Sequence, residues 1–221
     1  MENISDPKQL MEQGWKAREN LEFEKAEQLL NTAKKMFEEQ KDFYNISECL
    51  NHLSILKKMQ GGILIQKSVE LAEESLKINE EHNTKAILSH RALASSLKTL
   101  GAFEQAEKHI NTVVEDMKEN SAARADMRAD LALNFLRRGN IQNATEQIEL
   151  AKKELEEGWE AERMPHKMIW KTKILMYQSL VEYNKGNKEK SKEWAVEAQK
   201  LAKEYNLKTR LKETELLLSL F

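Results

Sequence analysis

Cysteine is nearly missing: Cys49 stands alone in 221 residues, so no intramolecular disulfide can form and a disulfide-held secreted scaffold is excluded. Proline occurs twice and glycine seven times, too rarely for the tight turns of a sheet protein. Charge of one sign is also lacking. The 35 Lys and Arg against 37 Asp and Glu leave a net charge of -2, so no global field gathers phosphates or an anionic membrane. No apolar run reaches the ~20 residues of a membrane helix, and the opening MENISDP has neither the basic head nor the apolar stretch of a signal peptide. Nucleic acid and membrane are therefore not expected as partners, and a cytoplasmic location is expected.

What is present is charge and a repeat. Charged residues make up 33% of the chain, a composition of long helices. In LGAFEQAEKHINTV, Gly101, Phe103, Ala106, Ile110 and Val113 keep a spacing that returns in RGNIQNATEQIELA as Gly139, Ile141, Ala144, Ile148 and Ala151. The template slides to Gly186 with Ser191, Ala195 and Ala198, although Lys188 fills the apolar slot. Near the start, Leu21 replaces glycine before Phe23, Ala26, Leu30 and Ala33. Seven residues upstream of these markers lie the small residues Gly14, Ala94, Ala132 and Ser179. A degenerate copy is expected near Gly61 and Gly62, followed by Ile65, Ser68, Ala72 and Ser75.

Apolar residues recur every three to four positions on both sides of each marker, as in amphipathic helices, and glycine tolerates the positive φ of the break between them. Each copy reads as a helical hairpin that cannot bury its apolar face alone, so copies must stack. Helices are predicted over 7 to 20, 23 to 40, 42 to 60, 64 to 80, 84 to 100, 103 to 119, 122 to 138, 141 to 157, 165 to 185, 188 to 205 and 207 to 220. Asp6 before Pro7 predicts a capped start, and Pro165 a second start of the same kind. The expected architecture is one all-α solenoid domain over 1–221, with hairpins at 7–40, 42–80, 84–119, 122–157 and 165–205 and a capping helix at 207–220.

The set Gly14, Phe23, Ala26 and Ala33, with Ala94, Gly101, Phe103 and Ala106 and with Ala132, Gly139, Ile141, Ala144 and Ala151, resembles the tetratricopeptide repeat signature in a long-helix variant. Such variants occur in peptide-sensing bacterial regulators and in scaffold proteins with leucine-glycine-asparagine repeats. The resemblance implies a right-handed superhelix whose concave wall is built from the first helix of each hairpin. It places Met11, Trp15 and Arg18, then Arg91, Ser95 and Lys98, then Asp130, Leu133 and Arg137, then Lys173, Tyr177 and Tyr183 on that wall. Arg91, Lys98, Arg137 and Lys173 then suit an acidic or C-terminal carboxylate group, with Trp15, Tyr177 and Tyr183 as rigid apolar contacts. The same cations also fit ordinary solvated charges.

One subtype of the family clamps the C-terminal tails of heat-shock chaperones through cationic and asparagine positions. Arg91 and Lys173 match cationic slots, but Ser95 and Asp130 stand where asparagine is needed, and Tyr177 replaces a further cation. Asp130 would repel the terminal carboxylate, so chaperone-tail binding is not expected.

Elsewhere the chemistry is sparse. Cys49 and His52 are three apart, too few for a metal site, and read as packing. His82, His90, His109 and His166 are scattered. No phosphate loop, nucleophile elbow or zinc-protease pattern occurs, so no enzyme, cofactor or metal is expected. Trp159 and Met164 lie in the long connection EEGWEAERMPHKMIW, either as an anchor for a partner or folded back as a plug between repeats. The ending ETELLLSLF reads as a cap or, through Leu216, Leu217, Leu220 and Phe221, as a homodimer surface. The expected function is a non-enzymatic adaptor binding a peptide or protein segment in the concave groove; the alternative is a peptide-sensing regulator whose superhelix changes shape. RNA binding by hairpin repeats is disfavoured by the near-neutral charge.

Overall fold

The computed structural model describes residues 6–221; the first five residues, MENIS of the opening MENISDP, lie outside the described residues. Among the described residues there are ten α-helices and no strand: α1 (Pro7–Glu19), α2 (Phe23–Gln40), α3 (Phe43–Glu81), α4 (Ile87–Leu100), α5 (Phe103–Asp116), α6 (Ser121–Arg137), α7 (Ile141–Glu157), α8 (His166–Asn184), α9 (Lys188–Glu204) and α10 (Lys208–Leu218). The chain divides into two compact units, one ending at Lys67 and the other spanning Ser68–Phe221. The boundary between the two units lies inside α3.

In the first unit, the Asp6 carboxylate accepts the Lys8 N–H at 3.0 Å and Pro7 opens α1, the predicted cap. A Cβ on Gly14 would lie 2.7 Å from Leu30 Cγ, so the missing side chain is what lets α1 cross α2. Leu10, Ala33, Phe37 and Cys49 form one buried cluster and Ala17, Ala26 and Leu56 another. Cys49 and Leu56 belong to the first part of α3, which therefore completes the core over the α1–α2 hairpin.

The hairpin expected at 42–80 is not formed. Its two predicted helices are one 39-residue helix that runs through Gly61 and Gly62. A Cβ at either glycine would meet nothing within 4 Å, so neither a turn nor a close crossing uses them. The flanking residues explain the continuity: Leu56–Gln60 and Ile63–Gln66 contain no proline, aspartate or asparagine to stop the hydrogen-bond ladder, and glycine permits a helix as well as a turn.

Helix ends elsewhere share one closure. Leu21, Lys41, Asn83, Gly101, Gly139, Gly186 and Asn206 all have positive φ, between 51° and 85°. The next residue in each case donates its N–H to the carbonyl five positions back, as Glu22 does to Ala17 and Ala102 to Leu97, both at 2.9 Å. This is the Schellman arrangement, which satisfies carbonyls left over at a helix end. The glycine markers predicted three of the turns, and Leu21 holds the same conformation without being glycine.

In the second unit the template residues form the cores of three hairpins, α4–α5, α6–α7 and α8–α9. Ala106, Ile110 and Val113, then Ala144, Ile148 and Ala151, then Ser191, Ala195 and Ala198 are fully buried. Ala94, Ala132 and Ser179 are buried across from them. Where the third hairpin carries serine on both helices, Ser179 Oγ donates to the Ser191 carbonyl and Ser191 Oγ to the Ser179 carbonyl, each at 2.7 Å, so neither hydroxyl is left unpaired.

Two boundaries move by three residues, α4 starting at Ile87 rather than 84 and α5 ending at Asp116 rather than 119, and the other helix ends of the hairpins and the cap move by two residues or fewer. Pro165 is the residue before α8, which starts at His166. Gly158 brings the α7–α8 connection onto the start of α6, where a Cβ would lie 2.5 Å from the Ala122 nitrogen. Trp159 folds back against the cores containing Trp170 and Met168, the plug alternative, while Met164 is exposed. α10 caps α8 and α9 through Leu217. Leu217 is therefore part of the core, and of the four residues suggested for a dimer surface only Leu216, Leu220 and Phe221 are exposed.

Candidate functional site

Asp126 and Asp130 are one turn apart on α6, so their carboxylates leave the same face. Lys173 of α8 reaches both, with Nζ 2.7 Å from Asp126 Oδ1 and 2.8 Å from Asp130 Oδ2. It also donates to the Asp126 carbonyl at 3.3 Å. Arg91 of α4 donates to Asp126 Oδ2 at 2.5 Å, Lys98 of α4 pairs with Asp130 Oδ1, and Arg137 of α6 donates to the Lys98 carbonyl at 3.1 Å. The first helices of three successive hairpins are thus joined by one ionic network.

The network has an inner and an outer part. Lys173, Lys98 and Asp126 are buried, Asp130 and Arg91 are half-buried, and Arg137 is exposed. Burial disfavours the charge on Lys173, yet Asp130 and Asp126 outweigh it and hold its pKa above the usual lysine range. Burial likewise opposes the Asp130 charge, and Lys173 and Lys98 overcome it, leaving that carboxyl well below the usual range. Lys98 ends lower than an ordinary lysine, because burial exceeds the help from Asp130. Tyr177, on the next turn of α8, is pushed up to about 12 by burial first and by Asp130 second, so it stays a neutral phenol.

The structure therefore brings together Arg91, Lys98, Asp130, Arg137 and Lys173, with Tyr177 beside them. Ser95 is exposed on α4. Tyr183 is half-buried, its ring edge-to-face with Phe221 at 5.8 Å between centroids. Trp15 and Arg18 belong to the first unit. Arg18 is buried and engaged by its neighbours, donating to Glu19 at 2.6 Å and lying 3.1 Å from His52 Nδ1. Trp15 is half-buried with the Lys16 ammonium 5.7 Å from its ring.

Asp126 is the residue the sequence reading missed, and it changes the chemistry. A row of cations expected to receive a carboxylate already holds two carboxylates of its own. The signal was available: Asp126 and Asp130 are four apart on the helix that carries Arg137, which places them on one face. Four cations against two carboxylates leave a positive balance on this face, and among the described residues Arg137 has no acidic partner.

Other polar clusters are structural in form. Glu154 of α7 accepts a hydrogen bond from Arg124 Nε at 3.3 Å and forms an ion pair with Arg128, whose Nε lies 2.9 Å away. His90 and His109 share a 2.8 Å Nδ1–Nδ1 contact, which requires one ring to donate and the other to accept. Burial, followed by the neighbouring His90, lowers the His109 pKa. Cys49 is buried in the first unit, its thiol pushed up by burial.

Among solved structures, BtubC (BKLC) from P. vanneervenii is similar over 86% of this chain and 77% of that one, at 21% identity and a TM-score of 0.52. A Podosopora anserina putative kinesin light chain with nearly identical TPR-like repeats aligns over 90% of this chain and 98% of its own, at 17% identity and a TM-score of 0.44. No protein-family model matches the chain, and no curated protein sequence matches it. The hairpins, their small crossing residues and their Schellman turns define an all-α repeat protein. The chain has a tetratricopeptide-like repeat fold. No helix among the described residues is long and apolar enough to cross a membrane.

Proposed function

We propose that the chain is a protein-interaction module that holds an acidic segment of a partner against the face made by α4, α6 and α8. The observation that supports this reading is the charge left over on that face. Asp126 and Asp130 neutralise Lys173 and the inner ends of Arg91 and Lys98, while Arg137 and the half-exposed Arg91 stay within reach of a ligand. The buried carboxylates set the inner cations in place, and ligand binding falls to the outer groups Arg91, Ser95, Arg137 and Tyr183. Charge-assisted bonds from guanidinium forks then give orientation, and few anchors rather than total area set affinity.

The test is binding to an array of immobilised decapeptides sorted by charge, with the wild type beside Arg137→Glu. Acidic peptides retained by the wild type and lost by the variant support the proposal. A preference for neutral or basic peptides on this face, or acidic binding untouched by Arg137→Glu, refutes it. Lys173 is left unchanged in this test because a glutamate there would place a third carboxylate beside Asp126 and Asp130.

A further inference from the structure

A cleft in the second unit shares no lining residue with the ionic face. Leu155 of α7, Trp159 of the α7–α8 connection, Ile174 and Leu175 of α8 and Trp194 of α9 enclose a cleft of about 460 Å³. That volume lies inside the range of about 300–1,000 Å³ usual for ligand sites. Three carboxylates, Glu156, Glu160 and Glu197, stand at its edge, all exposed and, among the described residues, without an ion-pair partner. The edge also holds two lysines, and both are engaged. Lys152 is bound to Glu149 at 2.9 Å, and Lys171 lies over the Trp159 ring, 5.5 Å from its centroid. The indole nitrogen of Trp194 is buried and has no acceptor.

An apolar floor whose edge carries three unpaired carboxylates against the single unpaired ammonium of Lys171 selects an apolar group carried next to positive charge. We infer that this cleft docks a short basic peptide segment of a partner protein, with one bulky apolar side chain inserted between Trp159 and Trp194 and flanking lysine or arginine on Glu156, Glu160 and Glu197. A peptide suits the site better than a free amine because the three carboxylates lie on different elements, α7, the connection and α9, and flanking residues reach them together. The fixed position of Trp159 is part of this design: Gly158 lets the connection sit on α6, and the Lys167 and Lys171 ammonium groups lie 5.0 and 5.5 Å from the indole ring centroid. The site does not depend on the acidic-segment reading, since the two faces have opposite charge and share no residue.

The test is nitrogen-15 NMR of the full chain, following the indole N–H signals during titration with acetyl-Arg-Phe-Arg-amide, acetyl-Glu-Phe-Glu-amide and phenethylammonium. The expected result is saturable shifts of the Trp159 and Trp194 signals with the basic peptide, at an affinity about tenfold or more above that of the acidic one and of the free amine. Glu160→Gln with Glu197→Gln is expected to weaken the basic peptide by a similar factor while leaving the melting temperature in place. Equal binding of the acidic peptide, a free amine that binds as well as the peptide, no saturable shift, or shifts confined to Trp15 and Trp170 overturns the proposal.

Discussion

Replacing Gly61 and Gly62 by alanine tests the feature in which the structure departs most from the repeat pattern. Both glycines lie in the interior of α3, with open space where a Cβ would stand. A glycine inside a helix is less favourable than alanine by about 0.5–1 kcal/mol, because the unfolded chain gives up more freedom and no side chain shields the backbone. Since the added methyl groups displace nothing and crowd no neighbour, the double substitution is worth about 1–2 kcal/mol. For a chain of this size that is a rise of roughly 2–8 °C in Tm if both units unfold together. Should the units melt separately, the effect is local, and amide exchange around residues 58 to 65 slows about five- to thirtyfold. Circular dichroism for Tm and hydrogen-exchange mass spectrometry for the segment give the two readings. A lower Tm or faster exchange would refute the reasoning, since it would mean that one of these glycines occupies a left-handed turn or a tight crossing.

Other consequences follow from single residues. Leu21 is an exposed leucine at φ 60°, so Leu21→Gly removes about 1 kcal/mol of backbone strain and raises or maintains Tm, whereas a clear fall would show that the side chain matters to packing. Gly158→Ala sets a Cβ 2.5 Å from the Ala122 nitrogen, a backbone clash expected to cost about 2 kcal/mol or more in urea unfolding. Lys173→Met leaves the paired carboxylates of Asp126 and Asp130 without their shared cation and should cost about 3–5 kcal/mol, with part recovered when Asp130→Asn is added. His109 titrates below its usual 6.5 in the folded state, so its neutral form contributes stability that is present in full above 6.5 and declines as pH falls below it. His109→Gln should flatten that acid decline in a pH series of thermal melts.

The repeat was legible because its signals are local. Apolar and small residues at fixed spacing name the buried face of each helix, and α2 and α7 fall on their predicted bounds. The same signals placed Arg91, Lys98, Asp130, Arg137 and Lys173 on the first helices of their hairpins, where the structure joins them. What they could not carry is the partner of each charge. Asp126 lies 35 residues from Arg91 and 47 from Lys173, and only the stacking of α4, α6 and α8 turns these three into one network.

The sequence by itself determined the helices, the crossing residues and the glycine turns, since propensity and periodicity act over a few residues. Tertiary structure decided the remainder. It set Leu21 and Lys41 in the left-handed conformation against their local preference. It carried α3 straight through two glycines, because a residue that allows either helix or turn does not choose between them. And it spent the positive charge of the α4–α6–α8 face mostly on the chain's own carboxylates, leaving the acidic cleft beside Trp159 and Trp194 as a second surface of opposite sign.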